Sequence, residues 1–214
     1  MCYRGADGRV RVGSDDGGLQ VARGYADRYP DKVRVFTHAG GEHRGISETI
    51  NAALEKAEGA YLCGLAPDDL LSPDKLERQV EFLERPPRVE WVYAQACCVH
   101  EENRLLPGRA LFGGDVTKEF DPLESLIRTN LIPGMTVLCR RRFMSEVGPH
   151  ERGLLYSDWE IWVRALGKSE AAFLPKVVAR YRIHGRNASV GVEALTNMRR
   201  GLAVMRSLRE KGEA

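Results

Sequence analysis

The sequence predicts an α/β sandwich built on a mostly parallel sheet. Three observations point there. Short apolar runs alternate with helix-periodic segments, Gly and Pro punctuate the joints, and a pair of carboxylates closes one buried strand. The 214 residues, 43% of them hydrophobic, suffice for one full-sized core. No internal repeat is visible.

The first eighteen residues, MCYRGADGRVRVGSDDGG, are rich in Gly, Arg and Asp and read as an irregular N-terminal segment. A helix is expected from Leu19 to before Pro30, with Leu19, Ala22 and Tyr25 on one face. Val33 to Phe36 reads as a short strand. Ser47 opens a helix in which Ile50, Ala53, Leu54 and Ala57 recur at helical spacing, and Gly59 suits its C-terminal end. Ala60 to Leu65 is an apolar strand bounded by Gly59 and Pro67. Ser72-Pro73 supplies an N-cap and a first-turn proline for a helix facing the core through Leu76, Val80 and Leu83, which Pro86-Pro87 ends.

Val89 to Val99 is strand-like, and Arg104 to Phe120 reads as a long loop. The spacing then predicts a helix over 122–129, a strand over 135–139 and a short helix over 141–147 closed by Gly148. A helix opening at Asp158 carries Trp159, Trp162, Val163 and Leu166 on one face. A strand over 177–184 and a basic helix over 194–211 complete the chain.

The balance of 32 Lys+Arg against 30 Asp+Glu, a net charge of +2, names no nucleic-acid partner. The clusters Arg140-Arg141-Arg142 and Arg199-Arg200 read as solvated faces, with phosphate binding as the alternative. Five cysteines without CxxC spacing argue against a disulfide framework or a zinc site. Cys63 and Cys139 sit in apolar runs as small hydrophobes, and vicinal Cys97-Cys98 would face opposite sides of a strand. With no apolar run long enough to span a bilayer and no signal peptide, a cytoplasmic location is expected.

Three clusters carry candidate chemistry. Asp68 and Asp69 follow a buried strand, where open α/β sheets bind ligands, and suit a hard divalent cation. Pro-Asp-Asp is also good turn chemistry, and on the pair alone the turn reading is favoured. In Tyr156-Ser157-Asp158-Trp159-Glu160, Asp158 at a helix start is held ionised by the N-terminal dipole. It could be a general base or a plain cap, with Ser157 as a nearby cap and Glu160 as a solvated or salt-bridged residue. In the third, Arg180, Arg182 and His184 alternate onto one strand face, fit to neutralise a diphosphate or complete a metal shell. A lone strand histidine is more often structural.

With Arg44 and Asn51, these clusters resemble the family 2 glycosyltransferases over about residues 13–189. The family's loop, Asn-bearing helix, Gly-Glu-Tyr-Ile-like strand and aspartate segment correspond to Arg44-Gly45-Ile46-Ser47, Asn51, Gly59-Ala60-Tyr61-Leu62 and Leu65-Ala66-Pro67-Asp68-Asp69. Pro73, Lys75, Leu76 and Gln79 follow in order. The family's Glu-Asp-Trp helix is similar to Ser157-Asp158-Trp159-Glu160-Ile161-Trp162-Val163-Arg164. Its Tyr-Arg-x-His tail is matched by Tyr181, Arg182, His184 and Ser189.

The resemblance implies a Rossmann-like α/β/α sandwich of the nucleotide-diphospho-sugar transferase type over 19–190, N-terminally truncated, followed by the basic helix (191–214). It implies inverting transfer of a sugar from a nucleotide-diphosphate donor to a glycan or lipid-linked acceptor hydroxyl, in polysaccharide or glycan biosynthesis. By the same resemblance Asp158 is the catalytic base, and Arg44, Asn51, Asp68, Arg182 and His184 contact the donor. Asp68, Asp69 and His184 are the ligands of a divalent cation, Mn²⁺ or Mg²⁺.

Two positions depart from the family. Ala66 replaces the first aspartate of the metal motif, and the chain opens after the family's first strand, with Gly13-Ser14-Asp15-Asp16-Gly17 as a loop rather than a uridine-binding pair. The strand edge so exposed is expected to pair with another chain, giving a homo-oligomer, or to be covered by the N-terminal segment. Peripheral membrane contact through Arg199, Arg200, Arg206 and Arg209 is weighed against a solvated helix face. The competing reading is a catalytically silent module of the same fold, acting in binding or assembly.

Overall fold

The strand Trp91–His100 is the axis around which the chain is built. In the computed structural model the described residues are 7–11, 17–85, 88–111, 115–118, 121–154, 156–185, 187, 192–210 and 212. They form β1 (Asp7–Arg11), α1 (Gly18–Arg28), β2 (Val33–Thr37), α2 (Ile46–Glu55), β3 (Tyr61–Leu62), β4 (Leu70–Leu71) and α3 (Lys75–Glu84). After β5 (Trp91–His100) come β6 (Leu105–Leu111), α4 (Pro122–Arg128), a 3-10 turn (Gly134–Thr136), β7 (Leu138–Arg140) and α5 (Arg141–Val147). The chain closes with α6 (Ser157–Lys168), β8 (Ala171–Ile183) and α7 (Val192–Glu210). No helix among the described residues is long and apolar enough to cross a membrane.

β5 runs parallel to β8 along its whole length and antiparallel to β7 and β6 on its other side, so a six-stranded sheet reads β3-β7-β5-β8-β4 with β6 beside β5. Period-2 alternation sends its side chains to two cores. Trp91 and Tyr93 enter a large cluster with residues of α4, α5, α6 and α7, while Val92 joins Leu138, Val80 and Leu83 beneath α3. In the large core Trp91 stacks on Trp162 at 5.7 Å, a contact worth about 1 kcal/mol beyond its buried area. The sheet is thus covered by α3 on one face and by the later helices on the other. This is the α/β sandwich the alternation predicted.

The sheet is more mixed than expected. Among its pairings only that between β5 and β8 is parallel; the other four are antiparallel. The physical reason lies in the connections: β5 and β6 are joined through residues 101–104, a length that permits only antiparallel pairing. β6 itself lies inside the segment read as a loop, where Pro107 and Gly108 masked the strand pattern. The N-terminal segment, expected to be irregular, contains β1, which pairs in parallel with β2 and so lies along one of its edges. The expected strand over 60–65 shrinks to Tyr61–Leu62, leaving Cys63 exposed rather than packed. The expected strand over 135–139 begins instead with the 3-10 turn. Asp15, Asp16, Ser189 and Pro86-Pro87 lie outside the described residues.

Candidate active site

The loop between β3 and α3 carries Asp68 and Asp69, and β4 within it pairs with β8, bringing both beside the end of that strand. There His184 Nε2 lies 3.0 Å from Asp68 Oδ2. Asn187 holds the histidine in place: its Oδ1 accepts from His184 N at 2.7 Å and its Nδ2 donates to Arg182 O at 2.9 Å. Asp68 and His184 therefore meet.

Asp69 does not join them. It is buried, and its Oδ1 accepts from Arg182 N at 3.0 Å. Burial pushes its carboxyl from the ordinary 3.8 up to about 6, against the pull of the Arg182 N–H. Arg182 is also redirected. Its Nε donates to Asp68 O at 2.8 Å, Nη1 to the carbonyls of His100 and Glu101, and Nη2 to Asn103 Oδ1 at 2.7 Å. The guanidinium fork thus straps the β5–β6 turn to the aspartate loop.

Two further expected donor contacts have intramolecular partners. Asn51 uses both ends of its amide on the backbone of His150, donating to its carbonyl at 3.0 Å and accepting from its N–H at 2.8 Å. Arg44 pairs with Glu42 on the surface. The Arg140–Arg142 cluster is likewise spent internally: Arg140 on Glu84 and Leu83 O, Arg141 on Gly59 O, Arg142 on Glu90.

Asp158 stands in the first turn of α6, half-buried, with Oδ1 accepting from Trp159 N at 2.8 Å. Its other oxygen, Oδ2, lies against Gly134 of the 3-10 turn. Burial raises this carboxyl above the ordinary carboxylate range. Burial also raises the Tyr156 phenol, with smaller contributions from Asp158 and Tyr181. Glu160 is ion-paired as one reading had it, but in the core: it is 2% exposed and bonds Arg164 Nε at 2.5 Å.

The sequence profile of glycosyl transferase family 2 matches residues 12–145. The chain belongs to that family. An uncharacterized glycosyltransferase of Rickettsia felis is 26% identical over 186 residues, 84% of this chain and 29% of that protein. The amylovoran biosynthesis glycosyltransferase AmsE of Erwinia amylovora is 23% identical over 64% of this chain and 50% of its own length. The chain thus spans between a quarter and a half of these relatives. Among solved structures, S. aureus TarS in complex with UDP-GlcNAc superposes with a TM-score of 0.68 at 19% identity, over 92% of this chain and 56% of that one. The mannosyltransferase PcManGT of Pyrobaculum calidifontis, in complex with GDP-Man and Mn²⁺, does so at 0.62 and 20% identity, over 94% and 54%. The family 2 chain therefore has the fold of these nucleotide-sugar-binding structures.

Among the described residues no group of three or more His, Cys, Asp or Glu side chains is arranged to hold a metal ion. The expected triad of Asp68, Asp69 and His184 is reduced to Asp68 and His184, because Asp69 turns inward to Arg182 N. A carboxylate and an imidazole fit a partial cation site that substrate phosphate oxygens would complete.

Sequence reasoning passed over Asn187 and Gly134. The first had a signal, a turn-forming Asn three residues after His184, and the second stands in a Pro-Gly turn dipeptide.

Proposed function

We propose that this chain transfers a sugar, with inversion, from a nucleotide-diphosphate donor to an acceptor hydroxyl in polysaccharide or glycan assembly. The observation that supports it most is the Asp68–His184 pair, 3.0 Å apart at the end of the sheet, in a family 2 chain that also carries a half-buried carboxylate at the start of α6. The relatives add support: TarS was captured with UDP-GlcNAc, PcManGT with GDP-Man and Mn²⁺, and AmsE is named for amylovoran biosynthesis.

In this mechanism Asp158 is the base. Trp159 N–H fixes Oδ1, leaving Oδ2 to take the acceptor proton. Burial raises the basicity of Asp158, as a proton acceptor needs, while the N-terminal end of α6 favours its ionised form. The acceptor oxygen attacks the anomeric carbon opposite the diphosphate, whose C–O bond breaks with its electron pair going to the departing phosphate oxygen. Asp68 and His184 would hold a divalent cation together with that diphosphate. Such a cation neutralises charge on the leaving group when bound. Arg182 and Asn187 hold the pair in place.

Transfer or hydrolysis of UDP- and GDP-sugars by the purified protein tests the reading. Asp158→Asn should lower turnover at least 100-fold with donor affinity within about twofold. Full turnover in that variant would remove Asp158 from the chemistry, and no turnover or nucleotide binding in the wild type would favour the silent module. Exposed Arg199, Arg200 and Arg206 on α7 make a peripheral membrane contact part of the proposal, whereas Arg209 is spent on Asp121 and Glu124. A cytoplasmic site of action and self-association through a sheet edge belong to it too.

A further inference from the structure

The turn carrying Gly134 is held more firmly than a surface loop needs to be. Thr136 Oγ1 donates to Pro133 O at 2.7 Å and accepts from Ala94 N at 3.3 Å. From α3, Gln79 Nε2 donates to Thr136 O at 2.7 Å and Lys75 Nζ to Val137 O at 3.2 Å; Lys75 and Gln79 bond each other at 2.6 Å. Lys75, Gln79 and Thr136 are all buried. Toward Asp158 this clamped turn presents the bare Cα of Gly134. A Cβ built there would stand 3.1 Å from Asp158 Oδ2 and 3.5 Å from Asp158 Cβ. The backbone at Gly134 is not in the left-handed region, so its geometry does not itself require glycine. The neighbour that an added side chain would crowd is the carboxylate.

We infer that Gly134 is a positioning residue for transfer: its missing side chain seats Asp158 Oδ2 against a wall fixed by α3 and β5. This rests on Asp158 as the base and adds what sets its aim. A methyl group at this position pushes Oδ2 by a few tenths of an ångström, because the clamped turn cannot retreat. It also removes solvent from the oxygen that takes the proton.

Hydrolysis of UDP-GlcNAc and GDP-mannose by the purified protein, water serving as acceptor, tests this in four proteins: wild type, Gly134→Ala, Asp158→Asn and the double variant. Gly134→Ala should lower kcat about tenfold, with donor KM within about twofold and the acid limb of the pH profile moved to higher pH. In the Asp158→Asn background Gly134→Ala should cost nothing further, since the group it displaces is gone. Equal losses from Gly134→Ala in both backgrounds would overturn the inference, marking the effect as general damage to the fold. Wild-type turnover in Gly134→Ala, alongside loss in Asp158→Asn, would overturn it while leaving the base assignment standing. Full turnover in Asp158→Asn would overturn the base assignment itself.

Discussion

Two buried titratable side chains near the candidate site pull stability in opposite directions with pH. Asp69, raised by burial from 3.8 to about 6, binds more protons folded than unfolded, so its contribution is present below pH 4 and is lost as pH rises through 6. His150, buried with Nδ1 3.1 Å from Ser157 O, is depressed by burial from 6.5 to about 4. Its contribution is present above pH 6.5 and is lost as pH falls through 4. Each shift of two units or slightly more corresponds to about 3 kcal/mol, so the two offset each other between pH 4 and 6.5. Asp69→Asn keeps the acceptor for Arg182 N and removes only the titration. Relative to wild type it should gain about 3 kcal/mol between pH 4 and pH 7, read by urea unfolding at both. An unchanged difference across that window would show that Asp69 is solvated. At this scale the sequence marked candidate residues but not their orientation. Asp68, Asp158 and His184 could be singled out by type and spacing. That Asp69 turns inward and that Gly134 abuts Asp158 depends on contacts between distant segments that no local pattern encodes, whereas Asn187 bonds His184 only three residues away.

Among elements, α2 and β8 carry expected donor-site residues that also make fold-supporting bonds. Asn51 ties α2 to the chain after α5 through both atoms of its amide, and Ser47 Oγ adds a buried bond to Leu154 O at 3.0 Å. Asn51→Leu should therefore cost about 2 kcal/mol of stability, by leaving the His150 peptide unpaired, while donor affinity stays within about twofold. A tenfold loss of affinity at unchanged stability would restore Asn51 as a donor contact. On β8, Arg182→Lys keeps the charge but loses the fork, so it should speed hydrogen exchange at Asn103 N, which donates to His100 O at 2.9 Å. Unchanged exchange there would mean that the strap does not hold the turn. Helices 141–147 and 157–168 were readable because apolar periodicity marks both and Gly148 stops the first. β6 was not, because Pro107 and Gly108 interrupt its alternation and its partner β5 supplies the order.

For the whole molecule, the alternation of apolar runs and periodic helices was enough to give the α/β sandwich, since each pattern must bury its face against the other. The strand directions were not legible, because pairing sense follows the path of the connections rather than the composition of the strands. What the architecture brings together is the aspartate loop and the end of β8. Calorimetric titration of the purified chain with UDP and GDP, with and without Mn²⁺, tests the donor site at its centre most directly. Binding of at least one nucleoside diphosphate, strengthened by Mn²⁺ and weakened at least tenfold in Asp68→Asn, is the predicted result. No binding of either nucleotide under any condition, or equal binding by Asp68→Asn, would contradict it.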